Sequence, residues 1–195
     1  MYAYLKGKFT VKNPAQVYVD VNGVGYEVNI SLNTFSHIQQ LDEGQLFIHL
    51  QVKEDSHTLY GFFDKAEKDI FISLIGVSGI GASTARMVLS SLKPDELTKA
   101  IAQGNVKLLE SIKGIGKKTA ERLVLELKEK ISKISTDIST SPTLQVNGLQ
   151  QDIVNALASL GISKNMAETA VQKIMAAEPN NANLEDLIKK ALKSI

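Results

Sequence analysis

Apolar positions recur along this 195-residue chain with two different periods, and the change of period divides it. Over residues 1 to 63 the period is two. Val17, Val19 and Val21 alternate with Tyr18, Asp20 and Asn22, and Asn22-Gly23 supplies a hairpin turn before Tyr26 to Ile30. A helix-like piece over Thr34 to Leu41 interrupts, then Leu46 to Lys53 and Thr58 to Phe63 form a second hairpin that turns at Glu54-Asp55-Ser56. With Tyr4 to Val11 these make five strands, enough for a small closed barrel of the OB type, whose closure removes exposed sheet edges.

From Asp64 the period becomes helical. Asp64 reads as an N-cap, with Glu67 three residues later completing a capping box, and the helix runs to about Ile75 with Ile70, Phe71, Leu74 and Ile75 apolar. It leads into Ser78-Gly79-Ile80-Gly81-Ala82-Ser83-Thr84-Ala85, after which Ala85, Val88 and Leu89 continue a helical pattern to Leu92. The same unit returns 35 residues later: Val106, Leu108, Leu109 and Ile112 precede Lys113-Gly114-Ile115-Gly116-Lys117-Lys118-Thr119-Ala120, and Ala120, Leu123, Val124 and Leu127 follow. Between the copies Pro94 opens a connecting helix that reaches Gln103 and stops at Gly104. The helix from Lys117 ends at about Ile131, with Leu123, Val124, Leu127 and Ile131 on its core face and Lys118, Arg122, Glu126 and Lys130 among its polar positions. Residues 64–131 thus read as two helix-hairpin-helix units.

Residues 132–148 are rich in Ser, Thr, Asp, Asn and Pro142, the composition of a flexible linker. Three short helices follow over 149–195: Asp152 to Leu160, Ser163 to Ala177 and Asn183 to Ser194, with Ser163 and Asn183 as N-caps and a break at Pro179 to Ala182. Ile153, Leu157, Leu160, Ile162, Val171, Ile174, Leu184, Leu187, Ile188 and Leu192 are the expected core of this three-helix domain. It is near the lower size limit for independent folding and carries no basic surplus, which favours a protein-docking module over a second polyanion site. The fold class is therefore α+β and multidomain.

Charge sharpens this division. The net charge of +1 hides a distribution of −3 over residues 1 to 64, +5 over 65 to 133 and −1 over 134 to 195, so the positive charge sits with the duplicated hairpins. No apolar run reaches the ~20 residues of a membrane helix, and the first residues lack a signal peptide's pattern of charge, apolar core and cleavage site. With no cysteine there is neither a disulfide nor a thiolate metal site, and His37, His49 and His57 lack ligand spacing. No cofactor or metal is expected, and the cytoplasm is the expected location.

The chemistry lies in the glycines. They permit a turn through positive φ and let backbone approach another molecule, and the helix that follows begins with unpaired N–H groups and the positive end of its dipole. A pair of ordinary helix C-caps is the competing reading. Duplication, with Lys117 and Lys118 after the second copy, favours a phosphate cradle. A nucleotide P-loop is excluded: Ala82 stands where its lysine is required, Lys118 stands where its Ser/Thr is required, and neither unit follows a strand. Glu54 and Asp55 read on residue type alone as turn residues.

Taken together, Asn22-Gly23-Val24-Gly25-Tyr26-Glu27-Val28, Lys53-Glu54-Asp55 with Leu59-Tyr60-Gly61-Phe62, and Gly114 to Leu123, in this order along the whole chain, resemble the RuvA family of bacterial Holliday junction branch-migration proteins. The resemblance implies an OB-fold domain that builds a four-fold homotetramer and tandem hairpins that grip the arms of four-way junction DNA through the minor groove. It further implies a mobile, UBA-like C-terminal domain over residues 149–195 that docks the RuvB ATPase motor, and an acidic pin of Glu54 and Asp55 at the tetramer centre. It leaves open whether one tetramer or two cover the junction, and adds the RuvC resolvase as a further candidate partner. On this reading the DNA contacts are Gly79, Ile80, Gly81, Ser83 and Arg86 in the first unit and Gly114, Ile115, Gly116, Lys117, Lys118, Thr119 and Arg122 in the second. One departure stands out: the family's Gly-Pro-Lys in the first hairpin is here Gly81-Ala82-Ser83, which leaves open whether Arg86 replaces the missing lysine.

Two other functions compete. A helix-hairpin-helix nuclease or glycosylase would need catalytic acids, a nucleophilic lysine or a metal cluster beside the hairpins, and the sequence offers none in such an arrangement. A duplex-binding scaffold without junction preference needs only the hairpins. The expectation is a non-catalytic subunit with no catalytic residues of its own, in which the partner motor hydrolyses ATP.

Overall fold

The alternation of the first 63 residues closes into a barrel. The computed structural model describes residues 1–138, 145–177 and 183–194, and the side chains of all of these except 129–138, 145–148, 151 and 177. It divides into two units, Met1–Ile138 and Ser139–Ile195. In the first, strands β1 (Tyr4–Asn13), β2 (Gln16–Val21), β3 (Val24–Ile30), β4 (Glu43–Val52) and β5 (His57–Phe62) close in the order β1-β2-β3-β5-β4. Only β3 and β5 pair in parallel, and helix α1 (Leu32–Ile38) lies between β3 and β4, the OB arrangement. Leu5, Phe9, Val17, Val19, Val28, Ile30, Leu46 and Ile48 point inward, and Ile38 of α1 joins them. Each such buried side chain contributes about 1.5–3 kcal/mol. The Asn22-Gly23 turn has φ of 52° and 87°, both positive as a type I′ hairpin requires.

Helices α2 (Lys65–Ile75), α3 (Ala82–Ser91), α4 (Pro94–Ala102), α5 (Val106–Glu110) and α6 (Lys117–Ile138) follow. Their apolar stripes meet in one core that also takes Tyr60 and Phe62 from β5. Phe71 of α2 is the joint, its ring centroid 4.8 Å from Phe62 and 5.1 Å from Tyr60. The barrel and the hairpins therefore share buried surface. Leu108, one of the apolar residues before the second hairpin, is exposed, because α5 is a single short turn whose inner face is taken by Leu109.

Half of the expected capping box forms. Asp64 Oδ1 accepts the Glu67 amide at 2.7 Å, but the Glu67 carboxylate turns away from the Asp64 backbone and reaches α1 instead. The helix expected to stop near Ile131 continues to Ile138, and α7 (Gln145–Ser159) begins before the expected Asp152, so the linker assigned to 132–148 contains helix at both ends. Ser and Thr have only modestly unfavourable helix propensities and do not by themselves end a helix. Residues 139–144, the rest of that linker, lie outside the described residues, as do the side chains of Lys130 and Ile131 and the break at Pro179 to Ala182.

In the second unit α7 is followed by α8 (Lys164–Ala177) and α9 (Leu184–Ser194). Asn183 caps α9, its Oδ1 accepting the amides of Glu185 and Asp186 at 3.1 and 3.3 Å. Ile153, Leu157, Val171 and Leu187 are buried as expected, with Ile162, Ile174 and Ile188 packed against them, but Leu160, Leu184 and Leu192 are exposed. Ala167, Ala170 and Ala191 are buried alongside them. Alanines let the helices approach closely, which leaves the larger residues at the edges of each stripe outside.

Candidate nucleic-acid interface

The two hairpins are built by the same hydrogen bonds, each shifted by 35 residues. Val77 N–H donates to the Leu74 carbonyl and Ile112 N–H to Leu109; Ile80 N–H donates to Val77 and Ile115 N–H to Ile112; Ala85 N–H donates to Gly81 and Ala120 N–H to Gly116. Their distances run from 2.9 to 3.2 Å. Gly79 and Gly114 hold φ of 92° and 93°, a backbone that glycine adopts readily and other residues resist. The isoleucine between the glycines is buried at 5% exposure in both copies, so it pins each loop to the shared core.

Ile80 and Ile115 have buried side chains, and their amides already donate inside the hairpin. The first bonds of α3 and α6 are donated by Ala85 and Ala120, so the amides of Ala82, Ser83 and Thr84, and of Lys117, Lys118 and Thr119, precede any bond within the helix. These six amides, at the positive ends of two helix dipoles, are the groups suited to phosphate oxygens. A Cβ built on Gly79, Gly81 or Gly116 meets nothing within 4 Å, so the loop backbone faces open space there. Ser83, Lys117 and Lys118 are exposed and Thr119 is half-buried.

The copies also brace one another. A Cβ on Gly114 would lie 3.7 Å from Thr84 Cγ2, which places the second hairpin against the first turn of α3. In the other direction Arg122 of α6 donates from Nη1 to the Ser78 carbonyl at 3.2 Å, and its Nε lies 3.9 Å from Glu126 Oε1. Arg86 is committed elsewhere: its Nη1 donates to the Ala15 carbonyl at 3.0 Å and to Asn29 Oδ1 at 2.8 Å, both in the barrel. Each arginine thus directs its Nη1 into the protein, Arg86 to the barrel and Arg122 to the first hairpin, while Arg122, Lys117 and Lys118 are all exposed.

Glu54 and Asp55 stand at the tip of the β4–β5 hairpin, both exposed, where the Lys53 amide donates to the Ser56 carbonyl at 2.8 Å and Ser56 Oγ donates to Asp55 Oδ1 at 3.3 Å. The turn reading of these acids therefore holds, and two carboxylates project from it. The residues that reasoning from sequence missed are Ser31 and Thr34, buried partners of Glu67. A signal was available: Glu67 falls on the apolar stripe with Ile70, Phe71 and Leu74, at i, i+3, i+4 and i+7, where an acid must find buried donors.

Among the described residues there is no cluster of three or more His, Asp or Glu that could hold a metal, and no helix long and apolar enough to cross a membrane. Comparison with known families covers nearly the whole chain. The RuvA N terminal domain matches residues 1–61, a SAM-like helix-hairpin-helix tandem matches 71–129, and the RuvA C-terminal domain matches 148–195. Proteins of Christiangramia forsetii and Flavobacterium psychrophilum, each named Holliday junction branch migration complex subunit RuvA, are both 47% identical over 195 residues, with 100% of each chain covered. A protein of the same name from Bacteroides thetaiotaomicron is 43% identical over 202 residues, again across 100% of both chains. In sequence from end to end, and in the order of barrel, tandem hairpins and terminal helices, this chain belongs to the RuvA family.

Proposed function

We propose that this chain is the junction-binding subunit of a Holliday junction branch migration complex. It holds four-way DNA by the position of its phosphates and by shape, without reading base sequence. The observation that carries this reading is the pair of hairpins with matching hydrogen bonds, which present two sets of helix-initial amides on one basic domain with a shared core. Contacts of that kind position DNA and carry no sequence information. The exposed Lys117 and Lys118 add charge to the second set.

The rest of the assembly follows as part of the same proposal. The barrel builds a homotetramer, which places four hairpin pairs around one crossover, and the exposed acids Glu54 and Asp55 form the pin that separates strands there. The chain has no catalytic residues of its own; the RuvB motor hydrolyses ATP and docks on residues 149–195, and the complex works in the cytoplasm. The placement of the acids at a hairpin tip supports the pin, and the C-terminal family match supports a separate docking module.

The deciding experiment compares affinity for a four-way junction with affinity for a linear duplex of equal length at one salt concentration. Preference for the junction is expected. Equal affinity would reduce the protein to a duplex-binding scaffold, and cleavage of either substrate by the purified chain would replace the reading with an enzymatic one.

A further inference from the structure

One charged side chain of the hairpin domain is spent on the barrel. Arg86 lies on α3, the helix whose first amides form the phosphate-facing end of the first hairpin. Its Nη1 donates to the Ala15 carbonyl, in the turn between β1 and β2, and to Asn29 Oδ1 on β3. Asn29 is itself oriented: its Nδ2 points to the Leu59 carbonyl of β5 at 3.5 Å, which turns Oδ1 toward the arginine. One turn further along α3, Ser90 Oγ accepts the Leu32 amide at 3.1 Å while donating to the Arg86 carbonyl at 2.8 Å. Residues four apart share a helix face, so this face of α3 is fastened to three separate barrel segments. The fastening ends one turn short of Ser83, where the hairpin begins.

We infer that Arg86 is a positioning residue, a strut that fixes the first hairpin on the barrel and so sets where its phosphate-binding amides point. The inference rests on the junction-binding reading above. It also gives Arg86 a role other than replacing the missing lysine at Ser83, because both bonds of its Nη1 go to neutral barrel acceptors and hold the guanidinium on the barrel. The mechanical consequence extends to the second hairpin, since Arg122 ties α6 to Ser78 of the first. If the barrel sets the geometry of the assembly, loosening α3 blurs the angle between DNA arms. Discrimination between a four-way junction and a linear duplex then falls, while the number of phosphates contacted on a duplex stays the same.

The test uses the full-length protein with Arg86→Ala, Asn29→Ala, the double variant and Asn29→Asp. A strut predicts that each alanine variant lowers the junction-to-duplex affinity ratio by about fivefold and that the double variant loses little more, because the two residues share one interaction. It also predicts that the dependence of log K on log salt for linear duplex is unchanged in Arg86→Ala, and that Asn29→Asp, which keeps an acceptor for the guanidinium but gives up the Leu59 bond, retains more of the ratio than Asn29→Ala. A phosphate contact predicts the reverse: Arg86→Ala flattens the duplex slope by about 0.9, Asn29→Ala does nothing, and the strut is overturned. An unchanged ratio in Arg86→Ala overturns it equally. If Arg86→Ala is unfolded at the assay temperature, Arg86→Gln carries the same comparison. Should the parent protein bind junction and duplex equally, the proposed function fails but the strut is still decided, by the duplex slope and by the coupling of Arg86 and Asn29 in thermal unfolding.

Discussion

Thr34 Oγ1 donates to Glu67 Oε2 at 2.7 Å and accepts the Phe63 amide at 3.0 Å, so one hydroxyl joins α1, the end of the barrel and the first helix of the hairpin domain. Ser31 Oγ donates to the other Glu67 oxygen and caps α1 through the Thr34 amide. All three side chains are completely buried, at 0% exposure. Thr34→Val keeps the shape and removes the bridge, leaving the Phe63 amide and one carboxylate oxygen short of a partner. The expected loss is about 1–3 kcal/mol, measured by urea unfolding; a change within error would show that water replaces the hydroxyl.

Burial raises the Glu67 carboxyl above its ordinary value, an effect opposed by hydrogen bonds from Ser31, Thr34 and Asn33 and reinforced by the nearby Asp64 carboxylate. The folded protein therefore holds this proton more tightly than the unfolded chain does. The resulting stability is fully present below the ordinary value of 4.5 and is lost as pH rises through the raised value. Glu67→Gln removes that loss. The stability of the parent minus that of the variant should fall with rising pH from about 4.5 upward, followed by unfolding at a series of pH values; a flat difference would mean that Glu67 ionises as it does in the unfolded chain.

The two lysines of the second hairpin should carry the salt-dependent grip. Lys118→Ala is expected to flatten the slope of log K against log salt by up to about 0.9 for each duplex arm it contacts. Ser83→Lys, which adds a basic residue to the first hairpin at the position matching Lys118, should steepen the slope by a similar amount. An unaltered slope in Lys118→Ala places that residue off the DNA.

The glycines of each hairpin do different jobs, and alanine separates them. At Gly79 and Gly114 the positive φ makes any Cβ costly, and about 1–2 kcal/mol of stability is expected to be lost. Gly81 has φ of −86° with open space around it, so Gly81→Ala costs about 0.5–1 kcal/mol as a poorer N-cap. Its larger effect should be on DNA affinity, because the new methyl faces the incoming phosphate. Thermal unfolding and junction binding on the same preparations distinguish the two roles.

For the pin, Glu54→Gln combined with Asp55→Asn removes two exposed negative charges from the β4–β5 tip and keeps the turn. Junction affinity should persist or rise, and opening at the crossover, followed with a fluorescent base analogue there, should change. If neither moves, the two acids serve the turn alone.

Much of this protein was legible before any coordinates. The period of two over residues 1 to 63 and the Asn22-Gly23 turn dictated the strands and their alternation, and the copies 35 residues apart dictated both hairpins, because period and turn chemistry are local properties of a chain. Local pattern also led astray where it had no access to neighbours. Glu67 has the spacing of a capping box, and Leu160, Leu184 and Leu192 sit on apolar stripes. Only the packed structure gave Arg86 its barrel acceptors, gave Glu67 its hydroxyl donors 33 and 36 residues away, and left those leucines exposed. A side chain's type sets which bonds it can make, but which groups come within 3 Å of it depends on how distant segments pack, and that is a property of the whole fold.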